Sequence, residues 1–170
     1  HAGSVALATR CKKLGIERFI YASSCSVYGA AGGENHRDEG SATDPQTAYA
    51  QCKVLVERDV GALADDRFSP TFLRNATAYG ASPRMRFDLV LNDLSGLAWT
   101  TGQIRLKSDG TPWRPLVHIL DISHAIACAL EAPREVVHNQ VFNVGSTEEN
   151  YRVREIASIV ADTFPACELI

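Results

Sequence analysis

The chain has 170 residues, a formal net charge of −3, 45% hydrophobic and 22% charged residues. That length buries one respectable core, and the charge gives no reason to expect nucleic acid or an anionic membrane surface as a partner. Cysteines 11, 25, 52, 128 and 167 form no Cys-x-x-Cys pair, which disfavours a zinc site and suits reduced thiols in a cytoplasm, and no apolar run approaches the ~20 residues of a membrane span.

His1-Ala2-Gly3-Ser4 lacks Met and opens directly into helix-like sequence, so the start reads as a cut edge. Helical periodicity runs from Val5 to Leu14, with Lys12 and Lys13 in its last turn and Gly15 just past it. Arg18 to Ala22 is a short apolar strand. A polar loop follows over 30–46, and a helix over Thr47 to Leu63. Pro70 to Leu73 is a second strand, and Phe87 to Thr101 a helix ending before Gly102. Ile104-Arg105-Leu106 and Leu116-Val117-His118 flank Asp109-Gly110, a turn signal. Asp121 is placed to cap a helix over Ile122 to Leu130, which Pro133 ends. Val141 to Val144 is a strand, Val153 to Phe164 a helix with Val153, Ile156, Ala157 and Val160 on one face, and Glu168-Leu169-Ile170 the start of another strand. Strands alternating with helices predict an α/β fold with a parallel sheet covered on both faces.

Chemistry concentrates in three segments. Ser23-Ser24-Cys25-Ser26-Val27-Tyr28-Gly29 places hydroxyls at the end of an apolar strand. Tyr49-Ala50-Gln51-Cys52-Lys53 sets a phenol and an ammonium on one helical face, because residues four apart are neighbours there. A cation one turn away favours the ionised form of a phenol. A serine, a tyrosine and a lysine brought together in this way move a proton on and off an alcohol, chemistry that accompanies hydride transfer to a nicotinamide. The third segment is Arg114-Pro115-Leu116-Val117-His118 followed by Asp121, in which a guanidinium offers the paired donors that suit phosphate. For His118, a core histidine is the stronger reading than a general base.

These segments resemble the extended short-chain dehydrogenase/reductase family, in its NAD-dependent nucleotide-sugar epimerase/dehydratase branch (UDP-glucose 4-epimerase-like). The resemblance implies a Rossmann-type doubly wound parallel sheet, here partial, plus most of a smaller C-terminal substrate-binding part. It divides the chain into residues 1–80, the later portion of the NAD(P)-binding domain, and 81–170, a substrate-binding portion interleaved with the last Rossmann elements. The family's Gly-rich turn is expected before His1. No G-x-G-x-x-G occurs in this chain, and Gly29-Ala30-Ala31-Gly32-Gly33 has the wrong spacing.

By the same resemblance Ser24, Tyr49 and Lys53 are catalytic, and Tyr49, Lys53, Ser23 and Arg74 contact the cofactor, NAD or NADP. Leu73-Arg74-Asn75-Ala76-Thr77-Ala78-Tyr79-Gly80 resembles a segment that touches cofactor and substrate, with Thr77 where the family has Asn. Thr77, Asn92 and Arg114 are the expected contacts to a nucleotide-sugar substrate, and a homodimer is the expected assembly. Cys25 and Ser26 replace the acidic pair of 4,6-dehydratases, which disfavours that elimination and leaves transient oxidation and epimerisation. The rival readings are a simple alcohol or ketone reductase, which needs no diphosphate-binding arginine, and a non-catalytic NAD(P)-sensing module or inactive fragment.

Overall fold

The structure is a computed structural model that describes residues 1–29 and 36–170; the part of the expected polar loop up to residue 35, with most of the glycine run after Tyr28, lies outside the described residues. In chain order the elements are α1 (Ala2–Lys13), β1 (Arg18–Ser24), a 3-10 turn (Cys25–Tyr28), α2 (Ala48–Gly61), β2 (Ser69–Asn75), β3 (Thr77–Tyr79), α3 (Val90–Thr101), β4 (Gln103–Ile104), β5 (Trp113–His118), α4 (Ile119–Glu131), α5 (Arg134–Val137), β6 (Gln140–Val144), β7 (Asn150–Arg152), α6 (Val153–Thr163) and β8 (Glu168–Leu169). They form two units, His1–Ala76 with Ile122–Val144, and Thr77–Asp121 with Gly145–Ile170.

The first unit is built on a parallel sheet of order β1-β2-β6. Its register sets Ser23 beside Arg74 and Arg74 beside Asn143; the next row is Ser24, Asn75 and Val144. All three strands therefore end at one edge. Phe19, Tyr21, Phe72 and Val141 pack with Ala8 of α1 and Val56 and Val60 of α2. Thr71, on the face opposite Phe72, donates to the Val137 carbonyl of α5 at 2.9 Å. Strands covered on both faces read as continuous apolar runs, which is why β1 and β2 stand out in the sequence. Both extend past their apolar stretch, β1 taking in Ser23 and Ser24.

The second unit holds β3 parallel to β5, β7 antiparallel to β5, and β4 parallel to β8. Its core is Leu94, Ala98, Ile104, Leu116, Ile156, Ala157 and Val160. The apolar stripe expected on the last helix is the stripe that α6 buries. Two expectations need correction. Helix α3 begins at Val90 rather than Phe87, because the Asn92 amide donates to the Arg86 carbonyl at 3.0 Å and holds the preceding residues in a turn. Asp121 does not cap α4; the helix begins at Ile119, and His118 Nδ1 accepts the Leu120 N–H at 3.3 Å. Asp109 forms the expected turn, its Oδ1 taking both Thr111 N–H and O–H, and the strands on either side of it pair elsewhere, β4 with β8 and β5 with β3 and β7.

Candidate active site

Ser24 is the last residue of β1 and caps the 3-10 turn, its Oγ accepting the Ser26 N–H at 3.2 Å. That bond uses a lone pair and leaves the hydroxyl proton to be donated elsewhere. Beyond the turn the chain returns over 36–47 to Thr47, whose Oγ1 accepts the Ala50 N–H at 3.1 Å and starts α2. A threonine cap fixes where the helix begins, and so fixes Tyr49 in its first turn. Tyr49 is 58% exposed, open for a large aromatic residue.

Lys53 lies one turn on. Its Nζ sits 5.3 Å from the Tyr49 ring centroid and 4.6 Å from that of Tyr21 on β1. It donates to the Ala22 carbonyl at 2.5 Å, two residues before Ser24 on the same strand. An ammonium has three protons, so this bond leaves Lys53 donors for a ligand. The structure thus brings Tyr49 and Lys53 together and ties Lys53 to the strand that ends in Ser24.

Ser23 and Arg74, expected at the cofactor, sit inside the fold. Ser23 is buried and donates to Glu57 Oε1 of α2 at 2.5 Å. Arg74 grips the same carboxylate through Nε at 3.1 Å and Nη2 at 2.7 Å, and its Nη1 donates to the Tyr28 hydroxyl at 2.9 Å. Tyr28 in turn donates to Asn143 Oδ1 at 2.7 Å. Burial works against the Arg74 charge, but the Glu57 and Tyr28 hydrogen bonds outweigh it and move its pKa further up. Burial also pushes the Tyr28 phenol up, against the Arg74 hydrogen bond.

Cys25 donates to the Arg74 carbonyl at 3.1 Å. Burial pushes its thiol up to about 11, with Arg74 opposing. It is therefore protonated at neutral pH and no nucleophile.

In the second unit Arg114 lies exposed on β5, beside Tyr151 of β7, with Nη1 donating to the Trp113 carbonyl at 2.7 Å. Thr77 is half-buried at the start of β3, and Asn92 is buried with its amide on Arg86. His118 is half-buried, its ring edge-on to Tyr79. Among the described residues no three His, Cys, Asp or Glu side chains gather to hold a metal ion, and no helix is long and apolar enough to cross a membrane.

The model of the NAD dependent epimerase/dehydratase family matches residues 1–145. The chain belongs to this family. A UDP-glucose 4-epimerase of Neisseria gonorrhoeae is 28% identical over 171 residues, covering 91% of this chain and 50% of that protein. One of Neisseria meningitidis serogroup C is 26% identical over 163 residues, covering 85% and 48%. Among solved structures, MoeE5 in complex with UDP-glucuronic acid and NAD superposes with a TM-score of 0.85 at 26% identity, over 98% of this chain and 56% of that one. TunA, an NAD-dependent NDP-hexosamine 5,6-dehydratase of tunicamycin biosynthesis, gives 0.83 at 27%, over 98% and 53%. The chain spans about half the length of the curated relatives it matches.

Sequence reasoning missed the family member's Glu57 and Asn143. The signal for Glu57 was present: a carboxylate one turn past Lys53, next to Val56 on a helix whose apolar positions face the sheet, demands a buried cation. Asn143 was visible only as part of Phe142-Asn143-Val144-Gly145, a fold marker of the family.

Proposed function

We propose that the whole protein is an NAD(P)-dependent epimerase of a nucleotide-activated sugar, to which this chain contributes Ser24, Tyr49 and Lys53. The observation that carries the reading is the exposed Tyr49 phenol with the Lys53 ammonium 5.3 Å from its ring, on a helix bonded to the strand that ends in Ser24. These donors fit a dinucleotide. Lys53 suits a ribose diol, and Tyr49 and Ser24 suit the oxygen at the reacting carbon. What a bound nicotinamide supplies is a reversible hydride acceptor.

The residues then divide the work. Tyr49 takes the proton of a sugar hydroxyl as the carbon is oxidised, and returns it when the keto sugar has been turned and reduced on the other face. Ser24 donates a hydrogen bond to the same oxygen. Lys53, one turn along and bonded to the Ala22 carbonyl, holds its ammonium beside the Tyr49 ring. Ser23 and Arg74 act from inside the fold. The exposed Arg114 guanidinium gives charge-assisted hydrogen bonds to the substrate diphosphate, and Thr77 stands where the family has a substrate-contacting Asn. The named substrates of the relatives, UDP-sugars, support this class, and the protonated Cys25 takes no covalent part. All five thiols are unpaired, which suits a cytoplasmic enzyme.

The test is the protein expressed from its complete gene, incubated with a panel of UDP-, GDP- and dTDP-sugars. An epimerase returns its hydride, so NMR should show inversion at one sugar carbon with no net NADH by absorbance. Stoichiometric NADH without an epimer would sink the reading in favour of a reductase. Arg114→Ala should weaken nucleotide-sugar binding by about 1.5–3 kcal/mol, the range for hydrogen bonds to charged groups, and leave NAD binding nearly unchanged.

A further inference from the structure

Helix α2 carries a third polar residue on the face of Tyr49 and Lys53. Tyr49, Lys53 and Glu57 follow one another at intervals of four, so they share one face of the helix. Lys53 meets β1 at the Ala22 carbonyl, and Glu57 meets β1 at Ser23 and β2 at Arg74. The Glu57–Arg74 pair is almost out of water, with side chains 9% and 7% exposed. From it the bonding runs through the Tyr28 hydroxyl to Asn143 on β6. Asn143 continues to the loop that leads to α2: its N–H donates to Glu39 Oε1 at 2.7 Å and its side-chain amide to the Arg37 carbonyl at 3.3 Å.

A buried ion pair is a poor device for stability. Removing two charges from water costs several kcal/mol each, and well-packed apolar replacements of similar volume are often neutral or better. What such a pair does supply is a unique arrangement. Apolar contacts such as Val56 and Val60 against Phe72 hold α2 to the sheet but tolerate small rotations about its axis. The bidentate grip of Arg74 on Glu57, with Ser23 on the same carboxylate, admits one rotation. Ser23 is also the residue next to Ser24 in the chain. One carboxylate therefore references the helix bearing Tyr49 and Lys53 to the strand end bearing Ser24.

We propose that Glu57, clamped by Arg74 and Ser23, is a positioning residue that sets the rotation of α2 and thereby the alignment of Tyr49 and Lys53 with Ser24. The proposal rests on the catalytic reading of those three residues. Its consequence is that stability and turnover separate when the charged pair is replaced.

The experiment uses the complete protein and the double variant Glu57→Met/Arg74→Met, with Glu57→Asp as a second variant that keeps the charge and shortens the reach. The double variant should melt within a few degrees of wild type, while kcat falls at least tenfold and KM changes less than threefold. Glu57→Asp should fold and also lose at least tenfold in kcat. A fold role alone predicts that the double variant recovers activity along with stability, so either variant keeping kcat within twofold of wild type overturns the proposal. Amide hydrogen exchange over residues 47–53 gives a readout independent of substrate: it should quicken in both variants, and unchanged protection in both also overturns the proposal. Tyr49→Phe serves as the reference. If that variant retains full turnover, the catalytic reading has failed; if it is inactive and the Glu57 variants are not, only the positioning role has.

Discussion

Two glycines of the first unit share a positive φ and differ in what surrounds them. Gly15 has φ +75° with nothing within 4 Å of a built Cβ, and Gly29 has φ +74° with the Asp44 carbonyl oxygen 2.2 Å from it. Alanine at Gly15 meets only the left-handed penalty of about 1–2 kcal/mol, less about 0.4–1 kcal/mol gained by stiffening the unfolded chain, for a net cost of about 1 kcal/mol. Alanine at Gly29, where φ +74° comes with ψ −158°, enters a region reserved almost wholly for glycine at about 1–3 kcal/mol, and must also push Asp44 away. The Asp44 N–H donates to the Val27 carbonyl at 2.9 Å, so the push also breaks that bond. Losing it adds about 1 kcal/mol. Gly29→Ala should therefore be destabilised by about 2–3 kcal/mol and exceed Gly15→Ala by at least about 1 kcal/mol, a difference of roughly 2–4 °C in a domain of this size. Urea titration of the two variants beside wild type measures the gap. The loop beyond Asp44 ends at the Thr47 cap of α2, so Gly29→Ala should also lower kcat where Gly15→Ala does not. Equal midpoints for the two variants would refute the close approach of the loop to the strand end.

Tyr49→Phe removes the proton carrier and keeps the ring, so turnover of the complete protein should fall by a factor of about 10² to 10⁴, with Ser24→Ala costing less; steady-state kinetics decide. Asp65 has its pKa lowered from 3.8 to about 2, chiefly by the Lys12 hydrogen bond and then by the Arg67 N–H. Its contribution is thus complete above the unfolded value near 3.9 and is lost as pH falls through about 2, so Asp65→Asn should flatten the fall in urea midpoint between pH 4 and pH 2. An acid limb as steep as wild type would count against the Lys12–Asp65 pair. The 170-residue chain alone holds no Gly-rich phosphate turn and should bind NAD negligibly by calorimetry; a micromolar dissociation constant would overturn that.

The elements that buried apolar side chains in a regular pattern were legible from sequence. Helix α6 was readable because Val153, Ile156, Ala157 and Val160 recur at helical spacing. The strands β3 and β7 were not. Each has three residues and exists because β5 lies between them to supply partners. The end of β1 was hidden for another reason. Ser23 and Ser24 look like a loop, but Ser23 finds a buried acceptor in Glu57, a residue far along the chain. The Tyr49/Lys53 pair needed only helical spacing to be seen. Arg74 shows the limit: the sequence gives a cation at a strand end, and only the folded position of Glu57 turns that cation inward.

The alternation along β1 gives two adjacent serines separate fates. Ser23 turns toward α2 and is buried, while Ser24, by the period of the strand, turns to the other side. Substitutions among the apolar residues before them change packing by degrees. Loss or gain of a single residue between Arg18 and Ala22 does something different, because it inverts every later side chain of the strand. Ser24 would then point at Glu57 and Ser23 would stand on the opposite side as the last open hydroxyl but one. The two would trade roles without any change in composition. A one-residue deletion there should accordingly cost activity that no single exchange among those apolar residues costs.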